Sequence, residues 1–78
     1  MKTAINFPKS GMGIDEGTLL KWLKAVGETV QQGEVIVEME NAKAIQEVEA
    51  PASGKLNEIL VHAGETVPVN TALGIIES

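Results

Sequence analysis

Gly27-Glu28-Thr29-Val30 recurs unchanged 37 residues further on as Gly64-Glu65-Thr66-Val67, and this recurrence decides what kind of fold the chain can take. With the same shift, Gly17 falls on Gly54, Leu19 on Leu56, Leu23 on Leu60 and Glu40 on Glu77. Eight of the 24 aligned positions from 17 to 40 are identical, where average residue frequencies give roughly one or two. Two copies are too few for a stacked solenoid. They point instead to two similar halves packed face to face, related by an approximate two-fold axis.

The 78 residues, 44% of them hydrophobic, fit one small globular domain spanning 1–78. A domain of this size buries only about 60% of its unfolded surface, so its core is thin. There is no cysteine to add a disulfide or a thiolate metal site, and any thiol chemistry has to arrive on a prosthetic group. The formal charge of −5 argues against nucleic acid or an anionic membrane as partner and favours a basic or neutral protein surface. Apolar runs such as Val35-Ile36-Val37 are far too short to span a bilayer, and no apolar stretch precedes Pro8 as a signal peptide would require. A soluble protein of the cytoplasm, or of the mitochondrial matrix for a eukaryotic fragment, is expected.

Val35 to Met39 and Ala44 to Glu49 read as strands, the first rich in β-branched residues, the second with Val48 inward and Glu47 and Glu49 outward. Only Glu40-Asn41-Ala42-Lys43 lies between them, which predicts a hairpin with Asn41 in a turn position. Periodicity gives a different answer for Leu19, Trp22, Leu23 and Val26, and for their copies Leu56, Ile59, Leu60 and Ala63. Their spacing is helical.

Residues for acid–base or metal chemistry are scarce. His62 is the only histidine, so neither a nucleophile–base pair nor a histidine metal site has a second member. Asp15 and Glu16 are adjacent, an arrangement that rarely aims two carboxylates at one bond. Gly11-Met12-Gly13 lacks the Lys-Ser/Thr of a phosphate loop. No catalytic and no metal-binding residue is expected. Trp22 reads as a packing residue, and Glu38, Glu40, Glu47 and Glu49 as a solvated face able to steer a basic partner.

The order of several short motifs resembles the lipoyl domains of 2-oxo acid dehydrogenase acyltransferases, within the biotinyl/lipoyl carrier family. The chain opens with Phe7-Pro8-Lys9-Ser10-Gly11-Met12-Gly13. Glu16-Gly17-Thr18, Trp22-Leu23 and the first Gly-Glu-Thr-Val follow. Gly33-Glu34-Val35 and Glu38-Met39-Glu40 then lead to Lys43-Ala44, and Ala50-Pro51-Ala52-Ser53-Gly54 precedes the second Gly-Glu-Thr-Val.

The resemblance implies an all-β fold, a flattened barrel or sandwich of two four-stranded antiparallel sheets (a barrel-sandwich hybrid), and therefore strands where periodicity reads helix. It implies a lipoic acid amide on Lys43 at the tip of the hairpin, with Glu40, Asn41, Ala42 and Ala44 as its neighbours. Partner recognition is expected from Ser10, Gly11, Met12, Gly13, Ile14, Asp15 and Glu16, and from Ile45. The implied role is that of a swinging arm carrying acyl groups and reducing equivalents. The implied partners are a lipoate ligase or lipoyl transferase, a thiamine-dependent decarboxylase, an acyltransferase core and dihydrolipoamide dehydrogenase. The domain itself is non-catalytic, because the prosthetic group carries the chemistry. Two alternatives share the lysine hairpin: a biotinyl carrier of a carboxylase, and a carrier like the glycine-cleavage H-protein.

Two residues depart from the family pattern. Ala42 stands where Asp usually precedes the lysine, and Gln46 stands where an inward apolar residue is common. A decarboxylase that contacts that Asp loses a charged hydrogen bond here, worth roughly ten- to hundredfold in specificity if desolvated and much less if exposed. Reductive acylation of the lipoylated chain by a standard decarboxylase is therefore expected to improve in Ala42→Asp, with a gain that shrinks as salt is raised. Equal rates at low salt would remove residue 42 as a determinant of partner choice.

Overall fold

The computed structural model of the chain describes residues 1–8, 15–41 and 44–78. The described residues form eight strands: β1 (Lys2–Asn6), β2 (Glu16–Trp22), β3 (Thr29–Val30), β4 (Val35–Glu40), β5 (Ile45–Glu49), β6 (Gly54–Ile59), β7 (Thr66–Pro68) and β8 (Ala72–Glu77). They make two antiparallel four-stranded sheets, ordered β1-β8-β6-β3 and β5-β4-β2-β7. The sheets face each other without joining at their edges, so the molecule is a sandwich and not a closed barrel.

The repeat is visible bond by bond. The 37-residue shift carries β2 onto β6, β3 onto β7 and β4 onto β8, while β1 maps onto β5 with a shift of 43. The two Gly-Glu-Thr-Val segments fasten the halves to each other. Gly27 N–H donates to Leu56 C=O and Gly64 N–H to Leu19 C=O, both at 2.8 Å. Returning bonds run from Leu56 N–H to Glu28 C=O and from Leu19 N–H to Glu65 C=O, both at 2.9 Å. β3 then pairs with β6, and β7 with β2. Each half thus completes the other half's sheet. The Glu carboxylate closes its own turn, accepting from Ala25 N–H in the first copy and from His62 N–H in the second. Gly27 and Gly64 have φ of 97° and 93°, which only glycine adopts without strain.

Residues 19–26 and 56–63 are not helical: β2 and β6 are strands followed by turns. The helical spacing comes from β-bulges, where one strand gains an unopposed residue. Opposite β4, Leu19 faces Met39 and Lys21 faces Glu38, leaving Leu20 unmatched. Opposite β8, Leu56 faces Ile76 and Glu58 faces Ile75, leaving Asn57 unmatched. The extra residue turns an inward spacing of two into one of three, from Leu19 to Trp22 and from Leu56 to Ile59. The remaining members of the apparent helical face, Leu23, Val26, Leu60 and Ala63, are exposed. A second pair of bulges, at Ile36 and Leu73, is related by the same shift.

The core lies between the sheets and holds Ile5, Phe7, Leu19, Val30, Ile36, Val37, Met39, Leu56, Leu73 and Ile76, all without solvent access. Trp22 packs at its edge and donates its indole N–H to Val61 C=O at 2.8 Å. Its ring lies so close to Gly74 that a Cβ there would fall 2.9 Å from Cη2.

Gly54 and Gly33 separate two reasons for glycine. A Cβ on Gly54 would strike the Glu77 carbonyl, a backbone atom that cannot turn away, whereas a Cβ on Gly33 meets nothing within 4 Å and only the φ of 89° opposes it. Gly33→Ala is expected to cost about 1 kcal/mol. Gly54→Ala should cost about 1–3 kcal/mol from overpacking. Urea unfolding of both variants checks the order.

Candidate functional site

β4 and β5 end in the register pair Glu40–Ile45, so the chain must reverse within 41–44. Asn41 achieves this with both its backbone and its side chain. Its N–H donates to Ala44 C=O at 3.0 Å, and its Oδ1 accepts from Ala44 N–H at 2.9 Å. A short side-chain acceptor placed to mimic a backbone turn is what Asn supplies at such positions. The same place in the other sheet holds the paired chain ends. There Ser78 N–H donates to Met1 C=O at 2.9 Å and the Met1 ammonium to Ser78 C=O at 2.8 Å.

Of the expected attachment residues, Ala42 and Lys43 lie outside the described residues, while Glu40, Asn41 and Ala44 come together at the end of the β4–β5 ribbon. Glu40 and Ala44 are exposed, and Ile45 is 60% exposed beside them.

Of the expected recognition residues, Ser10, Gly11, Met12, Gly13 and Ile14 lie outside the described residues. The residues on either side of them adjoin the hairpin end. Asp15 and Glu16 are exposed. Asp15 C=O accepts from Val69 N–H at 2.9 Å, Glu16 faces Pro68 in β7, and two residues on Thr18 faces Glu40. Gly17 lies under the Phe7 ring and the Glu40 carbonyl, which a Cβ would approach to 2.8 and 3.0 Å. On the other side, the Gln46 side-chain amide donates to Pro8 C=O at 3.2 Å.

The two-fold relation supplies an internal control for charge. The strands β2, β4, β5 and β7 carry Glu16, Glu38, Glu40, Glu47 and Glu49 against Lys21 alone, whereas β1, β3, β6 and β8 carry Lys2 and Lys55 with Glu58 and Glu77. The positions related to Glu38, Glu47 and Glu49 are Ile75, Ala4 and Asn6. The shared fold therefore does not require these acids. Glu38 and Glu47 even stand directly opposite one another, a like-charge arrangement that costs stability, with the Lys21 ammonium 4.0 Å from Glu38 as partial relief. Sequence reading missed this asymmetry; mapping each acid onto its copy would have exposed it.

A shallow polar groove lies elsewhere, lined by Lys24, Thr29, Gln31, Gln32 and Glu34. The Gln31 N–H and the Lys24 ammonium, 3.1 Å away, hold the Glu34 carboxyl below the usual carboxylate range. These contacts tie the β3–β4 turn and bring no nucleophile or base together. Among the described residues no three His, Cys, Asp or Glu side chains form a metal-binding group.

A comparison with family models matches residues 3–76 to Biotin_lipoyl, "Biotin-requiring enzyme". The chain belongs to the biotin/lipoyl family. The lipoyl domain of the 2-oxoglutarate dehydrogenase complex from Azotobacter vinelandii is 35% identical with a TM-score of 0.73, and the match covers 96% of this chain and 98% of that one. The dihydrolipoyllysine-residue succinyltransferase component of the 2-oxoglutarate dehydrogenase complex from Bartonella vinsonii is 44% identical over all 78 residues. This chain spans 19% of that relative's length. The urea carboxylase of Kluyveromyces lactis superposes with a TM-score of 0.81 at 25% identity, covering 99% of this chain and 6% of that one. The fold is thus shared with proteins of different printed names, and the higher identities among these are to the lipoyl domain and the dihydrolipoyllysine-residue succinyltransferase.

The hairpin geometry makes Asn41 a local clamp. In Asn41→Ala the Ala44 N–H loses its acceptor, at a cost of about 0.5–1.5 kcal/mol, and its hydrogen exchange should accelerate while that of Leu56 and Ile76 stays slow. Asn41→Asp keeps the acceptor and should exchange like the wild type.

Proposed function

We propose that the chain is a lipoyl carrier domain in which Lys43 bears the lipoyl amide and serves a 2-oxo acid dehydrogenase complex. The observation that carries this reading is the nearly end-to-end match, at 35% identity, with a solved lipoyl domain of such a complex. The described residues around position 43 are compatible with the group. Asn41 and Ala44 bond to each other on either side of the attachment position in the sequence, and Glu40, Ala44 and Ile45 near it are exposed. When attached, lipoic acid supplies a dithiolane that takes up acyl groups and electrons.

The chain's own task is then to present that arm and be recognised. Paired strands fix where the arm starts, and tethering raises its effective concentration at each partner site. The acidic sheet supports docking on basic surfaces, where complementary charge chiefly raises the association rate. Removing the lysine charge on amide formation makes this face still more acidic. The partners of this reading are a lipoate ligase or lipoyl transferase, a thiamine-dependent decarboxylase, an acyltransferase core and dihydrolipoamide dehydrogenase. The expected compartment is the cytoplasm.

The test is intact mass and tryptic mapping of the chain after expression with a lipoate ligase and lipoate, and separately with a biotin ligase and biotin. One lipoyl group on Lys43 is expected. Biotin on Lys43 without lipoylation would overturn the reading in favour of a carboxylase carrier.

A further inference from the structure

We propose that the chain exchanges halves with a second copy of itself: residues 1–41 of one copy close on residues 44–78 of another, giving a dimer of two complete sandwiches. This association is independent of whether Lys43 carries a group.

Four of the six strand pairs join one half to the other: β1 with β8, β3 with β6, β4 with β5 and β7 with β2. Only β2–β4 and β6–β8 lie within a half. The core divides in the same way. Leu19, Ile36 and Met39 come from the first half and Leu56, Leu73 and Ile76 from the second, all buried in one cluster. A separate half exposes an apolar face and unpaired strand edges, which only a matching half covers. A half from another copy satisfies the same contacts, because they depend on side chains and backbone and not on connectivity. The occupant of this surface is therefore the complementary half of a second chain.

The chain ends show that such a strand pair holds without a connecting turn. Under the shifts of 37 and 43, Asn41 falls on Ser78 and Met1 on Ala44. Asn41 N–H donates to Ala44 C=O at 3.0 Å, and Ser78 N–H donates to Met1 C=O at 2.9 Å. Met1 and Ser78 stand 77 positions apart in the sequence, so backbone pairing at this place needs no hairpin. The β4–β5 end adds the Asn41 Oδ1, which accepts from Ala44 N–H at 2.9 Å. At the chain ends the Met1 nitrogen donates to the Ser78 backbone carbonyl instead. Exchange therefore gives up two closed hairpins per dimer and keeps every strand pair. A short linker sets the competing effective concentration on the order of millimolar, and mass action favours the dimer as the chain approaches it. Four strand pairs must open for the forms to interconvert, so their ratio is fixed during refolding.

The experiment refolds wild type, Asn41→Ala and a chain lacking residues 41–44 from urea, at about 10 μM and about 1 mM, and measures mass by light scattering. Half of each sample is isotope-labelled, so that contacts between copies are read separately. Wild type is expected to be monomeric at the lower concentration and partly dimeric at the higher. Asn41→Ala should raise the dimerisation constant roughly ten- to hundredfold, because two hairpins per dimer lose a bond. The shortened chain cannot reverse between Glu40 and Ile45 and should be dimeric at both concentrations. In the dimers, Ala4 and Ile75, register partners in β1 and β8, should be in contact between labelled and unlabelled copies. Monomer alone at the higher concentration in both wild type and Asn41→Ala would overturn the exchange, even if the shortened chain fails to fold. A dimer without contact between Ala4 and Ile75 of different copies would be face-to-face association and would overturn it too. The carrier reading stands or falls separately, on the modification of Lys43.

Discussion

The reciprocal docking of the two Gly-Glu-Thr-Val turns is the constraint on which the rest of the structure depends. Neither half is a stable unit by itself, because β3 has its partner β6 in the other half and β7 has its partner β2. The Gly27 and Gly64 N–H groups complete the exchange by bonding to the carbonyls of Leu56 and Leu19. Those two leucines are fully buried, so the bonds that join the halves sit on the residues that fill the space between the sheets. Backbone satisfaction and apolar burial are achieved by the same step. That coupling matters in a chain whose core is small and has no disulfide to support it.

How far the fold was legible follows from the same coupling. The repeat announced two equivalent halves because the turns demand identical residues: glycine for positive φ, and glutamate to close its own turn through Ala25 or His62 N–H. The hairpin was legible in Asn41, whose side chain does the work of a turn. The interior of β2 and β6 was not. A bulge at Leu20 and another at Asn57 moved the next inward residue from two places on to three, and a spacing of three is the mark by which a helix is recognised. Single-strand periodicity cannot distinguish the two, because the bulge is defined by the strand opposite. The family pattern resolved the ambiguity where periodicity failed. At the site, the strand alternation already placed Gln46 inward. Its bond to Pro8 joins residues 38 positions apart, and no local pattern encodes such a contact.

The departures from symmetry carry the functional content. Most of the backbone bonds recur under the shift, so a feature present in one half alone is not required by the architecture. Two such features occur: the longer β1–β2 connection, and the excess of glutamate on β2, β4 and β5. Trp22 is a departure of another sort. Its indole replaces Ile59 of the other half, reaches across to Val61 C=O and presses on Gly74, locking the sheets together away from the site.

The facing glutamates bear a cost in stability that the proposed docking on basic surfaces would offset. Glu38 and Glu47 oppose each other across two strands, Glu40 lies one outward position nearer the hairpin, and Lys21 offsets part of one charge. Glu47 is exposed and Glu38 half-buried, so water and salt screen much of the repulsion. The same charges act together at a distance on an approaching basic surface, and their fields add over the whole sheet. A cost paid locally and a benefit gathered collectively scale differently, so a thin domain can carry five acids on one sheet without unfolding. The related positions Ile75, Ala4 and Asn6 show that the same backbone folds without the acids.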